Sequence, residues 1–181
     1  MDGVRGYWNG KNLISRNRNN IHCPKWFIEG LPSTTALDGE LWMGRDHIFS
    51  KVNSILNSKD GDWSQIGYYI FDIPSSSGTY EVRMKEMEDL KSIVAPHIHI
   101  VENIQSAGVQ HLLKSLDSVM AARGEGIMLR APNSSYIAGP NSSLLKAKVN
   151  YVFTINYTFS SYFSSLLPSE HYLRSGGVDY L

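Results

Sequence analysis

Apolar and polar positions divide the chain into short extended runs and amphipathic helices. Val4 to Trp8 reads as a strand, Asn9-Gly10 is a strong hairpin signal, and Leu13-Ile14 resumes the extended run. Leu37 to Met43 is a further candidate strand, closed by Gly44. Gly67 to Ile73, dense in Tyr, Ile and Phe, reads as a buried strand stopped by Pro74. His97 to Val101 alternates as a strand, and Gly126 to Arg130 and Leu144 to Val149 are the last strand-like runs. Helical periodicity is found over Tyr80 to Val94, where Met84, Met87, Leu90 and Val94 share a face. It is found again over Val109 to Ala122, with an apolar stripe of Val109, Leu112, Leu113, Leu116, Val119 and Met120 and a natural stop at Gly124. Strands outnumber helices, so the pattern predicts an α+β fold of largely antiparallel sheets with flanking helices.

Composition adds a real core: hydrophobic residues make up 42% and charged residues 19% of the 181 residues. The formal net charge is zero, which excludes a globally basic nucleic-acid binder. Charge is uneven, however. Residues 1–30 carry Arg5, Lys11, Arg16, Arg18 and Lys25 against Asp2 and Glu29, so a local basic face is expected. Cys23 is the single cysteine, which excludes a disulfide framework and fits a reducing, intracellular setting. The opening residues hold no apolar run, so neither a secretory signal nor a membrane partner is expected. Beyond residue 150 the texture changes to a Tyr-, Phe- and Ser-rich segment. The organisation expected is one domain over 1–149 and a divergent or non-domain tail over 150–181.

Short motifs occur in a fixed order. They are Asp2-Gly3-Val4-Arg5, Ser15-Arg16-Asn17, Asp38-Gly39-Glu40-Leu41-Trp42, Tyr69-Ile70-Phe71-Asp72-Ile73, Glu125-Gly126-Ile127-Met128-Leu129-Arg130 and Leu144-Leu145-Lys146-Ala147-Lys148-Val149. Each alone is weak, but the ordered set resembles the nucleotidyltransferase motif series of ATP-dependent DNA ligases. The resemblance covers residues 1–149. It implies a nucleotidyltransferase domain related to the ATP-grasp folds, ATP and Mg²⁺ as cofactors, and nicked duplex DNA as partner of a monomeric enzyme of DNA repair, recombination or replication.

The residues can also be read for themselves. An enzyme that moves a nucleotidyl group must neutralise phosphate charge and hold the attacking atom in line. Lys146 and Lys148 are two apart in a strand pattern, so both face one side and can grip an α-phosphate. A solvated edge strand is the plainer alternative. Glu125, after a helix and a glycine turn, can hold a divalent cation directly or through water, or be a surface Glu at a turn. Arg16, in a short polar loop, is a fork-shaped contact for a nucleotide or a DNA 5′-phosphate. By resemblance, Glu40 accepts from the ribose hydroxyls, Phe71 stacks on adenine, and Arg5 contacts phosphate or ribose. A lone Phe71 would otherwise read as core. The family usually has glycine two residues after the loop arginine, where this chain has Arg18. His97 and His99 share a strand face but read as ordinary strand histidines.

The family's first motif is Lys-x-Asp-Gly-x-Arg, with Met1 standing at x, so the nucleophilic lysine would precede Met1 and no catalytic nucleophile is assigned. That lysine forms the covalent lysyl-AMP, so this stretch of chain is expected to be inactive in the first step by itself. An oligonucleotide-binding barrel, expected after Val149 in the family, is not found in residues 150–181. Two other readings stand beside the ligase: a non-catalytic remnant that binds ATP or DNA, and a relative among RNA ligases or mRNA capping guanylyltransferases.

Overall fold

Asn9 organises the first hairpin. Its side-chain oxygen accepts from the N–H groups of Lys11 and Asn12 at 2.9 and 2.7 Å, so the turn is closed by a local side chain. In the computed structural model, which describes residues 1–47, 49–92, 94–148 and the backbone of 172–175, that turn joins β1 (Val4–Trp8) to β2 (Leu13–Ser15). The other side of β1 pairs with β3 (Leu37–Trp42), and β3 pairs with β4 (Gly67–Asp72), all antiparallel. β5 (Ile98–Ile100) joins β4 in parallel and completes the order β2-β1-β3-β4-β5. A parallel neighbour requires a crossover. Helix α3 (Tyr80–Leu90), between β4 and β5 in sequence, supplies it.

A second sheet has the order β6-β9-β7-β8, from β6 (Ile104–Gln105), β7 (Ile127–Arg130), β8 (Leu144–Ala147) and β9 (Tyr172–Ser175). Helix α4 (Val109–Ala121) packs on it. Leu112 and Leu116 of α4 meet Ile127 and Leu129 of β7, each leucine contributing about 2 kcal/mol of burial. The predicted stripe is thus borne out at its centre, while Met120 at its end stays exposed. The larger core lies on one face of the first sheet, where Leu13, Leu37, Leu41, Tyr68 and Ile70 meet Phe27, Trp63 and Met87.

The α+β class with largely antiparallel sheets is as the sequence predicts. Several elements differ. Helices α1 (Lys25–Ile28) and α2 (Phe49–Asn57) and a 3₁₀ turn at Trp63–Gln65 were not expected. In α2 the signal is diluted: Phe49, Val52, Ile55 and Leu56 have helical spacing among Ser, Asn and Lys, and only Val52 is fully buried. The buried face of α3 is also rotated from the expected one. It comprises Tyr80, Arg83, Met87 and Leu90, because the buried Arg83 finds a carboxylate partner. The helix ends at Leu90, before the expected Val94. The predicted strand end Val149 and the segments 150–171 and 176–181 lie outside the described residues. Tyr172–Ser175 supplies the strand between β6 and β7.

Candidate functional site

The second face of the first sheet carries charged residues on β1 and β3, beside an aromatic patch on β3 and β4. β1 and β3 place Arg5 opposite Glu40, and Arg5 also reaches Asp38. The Arg5 guanidinium donates through Nε and Nη2 to the two Asp38 oxygens at 2.9 and 2.5 Å. Such a fork fixes both the position and the plane of the group. Both acids of β3 are buried, each 1% exposed. Glu40 Oε1 accepts from the backbone N–H of Gly3 at 2.6 Å, which ties the carboxylate to the segment entering β1.

The two Asp-Gly pairs of the motifs are therefore not turns. A Cβ on Gly39 would stand 2.6 Å from the Tyr68 ring and 2.7 Å from the Tyr69 carbonyl oxygen. A Cβ on Gly3 would collide with the Leu41 carbonyl oxygen. Glycine is required at both places by close approach of the strands.

Phe71 occupies a bulge. Asp38 pairs with Asp72 and Gly39 with Ile70, leaving Phe71 as the extra residue of β4. Its ring is 2% exposed and packs with Met1 and Val101, beside Trp42 and Tyr69. Next to it, Asp72 bonds Arg83 Nε at 2.5 Å and Arg130 Nη2 at 3.0 Å, so a buried ion network ties β4 to α3 and to β7.

On the second sheet, Glu125 stands one glycine before β7 and accepts from Lys146 Nζ of β8 at 3.1 Å. Lys146 is 15% and Glu125 34% exposed, so the pair is accessible at one edge. Lys148 follows the end of β8, half-buried. Among the described residues no group of three or more His, Cys, Asp and Glu could enclose a metal ion.

Arg16 lies in an exposed loop after β2. The loop is closed by bonds from Asn19 to the Ser15 side chain and from Arg18 to the Ser15 carbonyl. Arg18 has φ 63°, a left-handed conformation suited to glycine. Arg5 and Arg16 line a cleft of about 1210 Å³ between the start of β1, this loop and helix α2, whose Asn53 and Asn57 form the far wall. Glu40, Phe71, Glu125, Lys146 and Lys148 are not in its lining. The structure thus brings Arg5 and Arg16 together, puts Arg5 opposite Glu40, and pairs Lys146 with Glu125.

Tyr136, in the loop between β7 and β8, was not singled out by sequence. Its hydroxyl donates to Asp38 Oδ2 at 3.0 Å and accepts from Arg5 Nη2 at 3.3 Å. Burial, then the charge of Asp38, holds the phenol well above its ordinary pKa range, so it remains a donor. No local pattern marks a tyrosine in a loop, and its partners are 98 and 131 residues away. Asp72 stands in a motif that by itself assigns it no role. The signal that could have found it is a carboxylate closing an apolar strand. His97 Nε2 donates to the Phe27 carbonyl at 2.8 Å, and His99 stacks on Tyr69 at 4.5 Å. No helix among the described residues is long and apolar enough to cross a membrane.

Residues 1–148 match the family model described as the ATP dependent DNA ligase domain. Over 150 residues the chain is 37% identical to a DNA ligase of Haemophilus influenzae, covering 82% of this chain and 55% of that protein. It is 33% identical over 92 residues to DNA ligase 4 of Saccharomyces cerevisiae, covering 47% of this chain and 10% of that one. A solved structure from a study of DNA binding by Lig E DNA ligases superposes with a TM-score of 0.75 at 31% identity, over 82% of this chain and 59% of that one. A Chlorella virus DNA ligase-adenylate structure has the same fold, with a TM-score of 0.69 at 22% identity over 82% and 58% of the two chains. The chain therefore spans little more than half the length of the Haemophilus ligase.

Proposed function

Because this chain belongs to the ATP-dependent DNA ligase domain family, we propose that it is the nucleotide-binding part of an enzyme that seals nicks in duplex DNA. The whole reaction would run through enzyme-AMP and adenylated DNA, inside the cell, by a monomer serving repair, recombination or replication.

The observation that carries this reading is convergence. Residues far apart in sequence meet on the polar face of the first sheet, with Arg5 held by Asp38 and opposite Glu40. Lys146 and Glu125 meet on the second sheet, which the Arg130–Asp72 pair ties to the first. In this assignment Lys146 and Lys148 neutralise the α-phosphate, Glu40 accepts from the ribose, Phe71 lies against the base, and Arg5 contacts phosphate or ribose. Arg16 faces the nucleotide or the 5′-phosphate of the nick. The ion pair with Lys146 supports the phosphate assignment, since the lysine arrives with its direction set by a carboxylate that a cation can take over.

The donor set also fits Mg²⁺, which keeps several waters and needs only one or two protein carboxylates beside substrate phosphates. Glu125 is that carboxylate, partly exposed and beside a cation that already compensates it. When bound, the ion would supply neutralisation of phosphate charge.

The test is a titration of the 181-residue chain with ATP and with GTP, each with Mg²⁺, followed by calorimetry. Saturable binding of ATP, stronger than that of GTP, is expected. Absence of saturable ATP binding overturns the nucleotide assignment, and a preference for GTP would favour a capping-type relative.

A further inference from the structure

The loop between β7 and β8, residues 131–143, leaves the second sheet and crosses to the first. It is anchored on the way. The Asn133 N–H donates to the Glu81 carboxylate of α3 at 2.9 Å, and Arg83 Nη1 donates to the Ser134 carbonyl at 2.9 Å. Two residues on, Tyr136 delivers its hydroxyl to the Arg5–Asp38 pair. Asp38 therefore accepts from three donors: Arg5 Nε, Arg5 Nη2 and the Tyr136 hydroxyl. Both oxygens of a carboxylate 1% exposed are thus bonded, as burial at that depth requires.

Arg5 combines two relationships. It lines the cleft, and it is gripped from behind by Asp38 and Tyr136. A side chain with many rotamers loses affinity for an anion when it must be ordered on binding, and gains it when ordered beforehand. Asp38 fixes the guanidinium plane, but both partners of that fork belong to the first sheet. The Tyr136 hydroxyl, bonded to both partners, is the third point that holds the pair.

We propose that Tyr136 is a positioning residue for Arg5, a strap from the second sheet that presets the guanidinium for the nucleotide. Its relevance to ATP rests on the proposed function above; the positioning itself does not. The raised pKa of the phenol agrees, since the strap then keeps its proton across neutral pH. Because the strap starts on β7, a change in the spacing of the two sheets would be felt at Arg5 before any substrate touches it.

Two measurements on the full chain separate the parts of this inference. The first follows the Arg5 Nε–H signal by nuclear magnetic resonance, assigned through its loss in Arg5→Met. In the parent its hydrogen exchange is expected to be slow, and in Tyr136→Phe faster by about fivefold or more, because the hydroxyl's bonds to Asp38 and to Arg5 Nη2 no longer hold the pair. Unchanged exchange in Tyr136→Phe overturns the positioning role, whatever ATP does. The second measures ATP affinity with Mg²⁺ in a double-mutant cycle. Tyr136→Phe is expected to weaken binding about fivefold in the parent and not at all in the Arg5→Met background. An equal loss in both backgrounds indicates a general structural effect and overturns the proposal. If the parent binds no ATP while the Arg5 signal still responds to Tyr136→Phe, the nucleotide reading fails and the strap stands. Thermal midpoints of all variants, and Tyr136→Leu as a second variant, guard against loss of fold.

Discussion

Arg130 of β7 donates to Asp72 of β4 at 3.0 Å with both side chains buried, 7% and 0% exposed. Arg83 of α3 holds the other oxygen of the same carboxylate at 2.5 Å. The Tyr80 ring lies under both guanidinium groups, at 5.4 and 5.3 Å. A single buried acid thus joins a strand of each sheet and a helix. A buried charge stripped of its partner costs far more than a surface pair contributes.

Asp72→Asn leaves two buried cations short of their counter-ion and should cost about 3–5 kcal/mol in urea unfolding. Arg130→Met should cost less, because Asp72 keeps Arg83. A loss below about 1 kcal/mol in Asp72→Asn would show that the sheets are held by something else.

Arg18→Gly should stabilise the chain. Its φ of 63° costs a side-chain-bearing residue about 1 kcal/mol that glycine avoids. The thermal midpoint should rise by a few degrees. A midpoint at or below that of the parent contradicts strain at this position.

The cleft holding Arg16 makes a statement about DNA. If Arg16 meets a phosphate of the nicked duplex, Arg16→Ala should weaken binding and lower the slope of log K against log salt by about one. Fluorescence anisotropy at several salt concentrations reads both. A lower affinity with the slope intact would move Arg16 away from phosphate.

Glu125→Gln tests the cation assignment. In the parent, Mg²⁺ should strengthen ATP binding relative to a chelator; in Glu125→Gln most of that gain should vanish. Lys146→Met should weaken ATP binding with Mg²⁺ present or absent. Parent-like Mg²⁺ dependence in Glu125→Gln would dismiss Glu125 as the metal contact.

His99 should contribute to the pH dependence of stability. Partial burial first, and then the neighbouring His97, lower its pKa below the ordinary 6.5. The folded chain then takes up this proton less readily than the unfolded chain. Stability from the neutral ring is complete above 6.5 and is lost as pH falls toward the folded value. Thermal midpoints taken from about pH 8 to about pH 5 should decline on the acid side. His99→Gln should flatten that decline, and an unchanged slope would assign it to other groups.

Much of the molecule was legible locally. The alternation of Val4 to Trp8 and the Asn9-Gly10 signal gave the first hairpin, because strand period and turn chemistry are short-range properties. The motif order picked out Arg5, Glu40, Glu125 and Lys146 as candidates, and Arg18 in place of the family's glycine marked a backbone position that is left-handed. Helix α2 escaped because a helix with one fully buried residue has little periodicity to report. The short strand β6 escaped because it spans only Ile104–Gln105, too short for its alternation to show.

The order of apolar and polar residues, with the motif series, determined the fold class, the family and the candidate chemistry of this chain. It did so because periodicity and turn preference depend on near neighbours. Only the tertiary structure decided which charges are buried together. Asp72 with Arg130, and Arg5 with Asp38 and Tyr136, are pairings between distant segments, and Arg83 joins Asp72 from the helix that follows β4. A buried charge requires a partner, but any segment of the chain can supply it, and that choice is made only when the sheets pack.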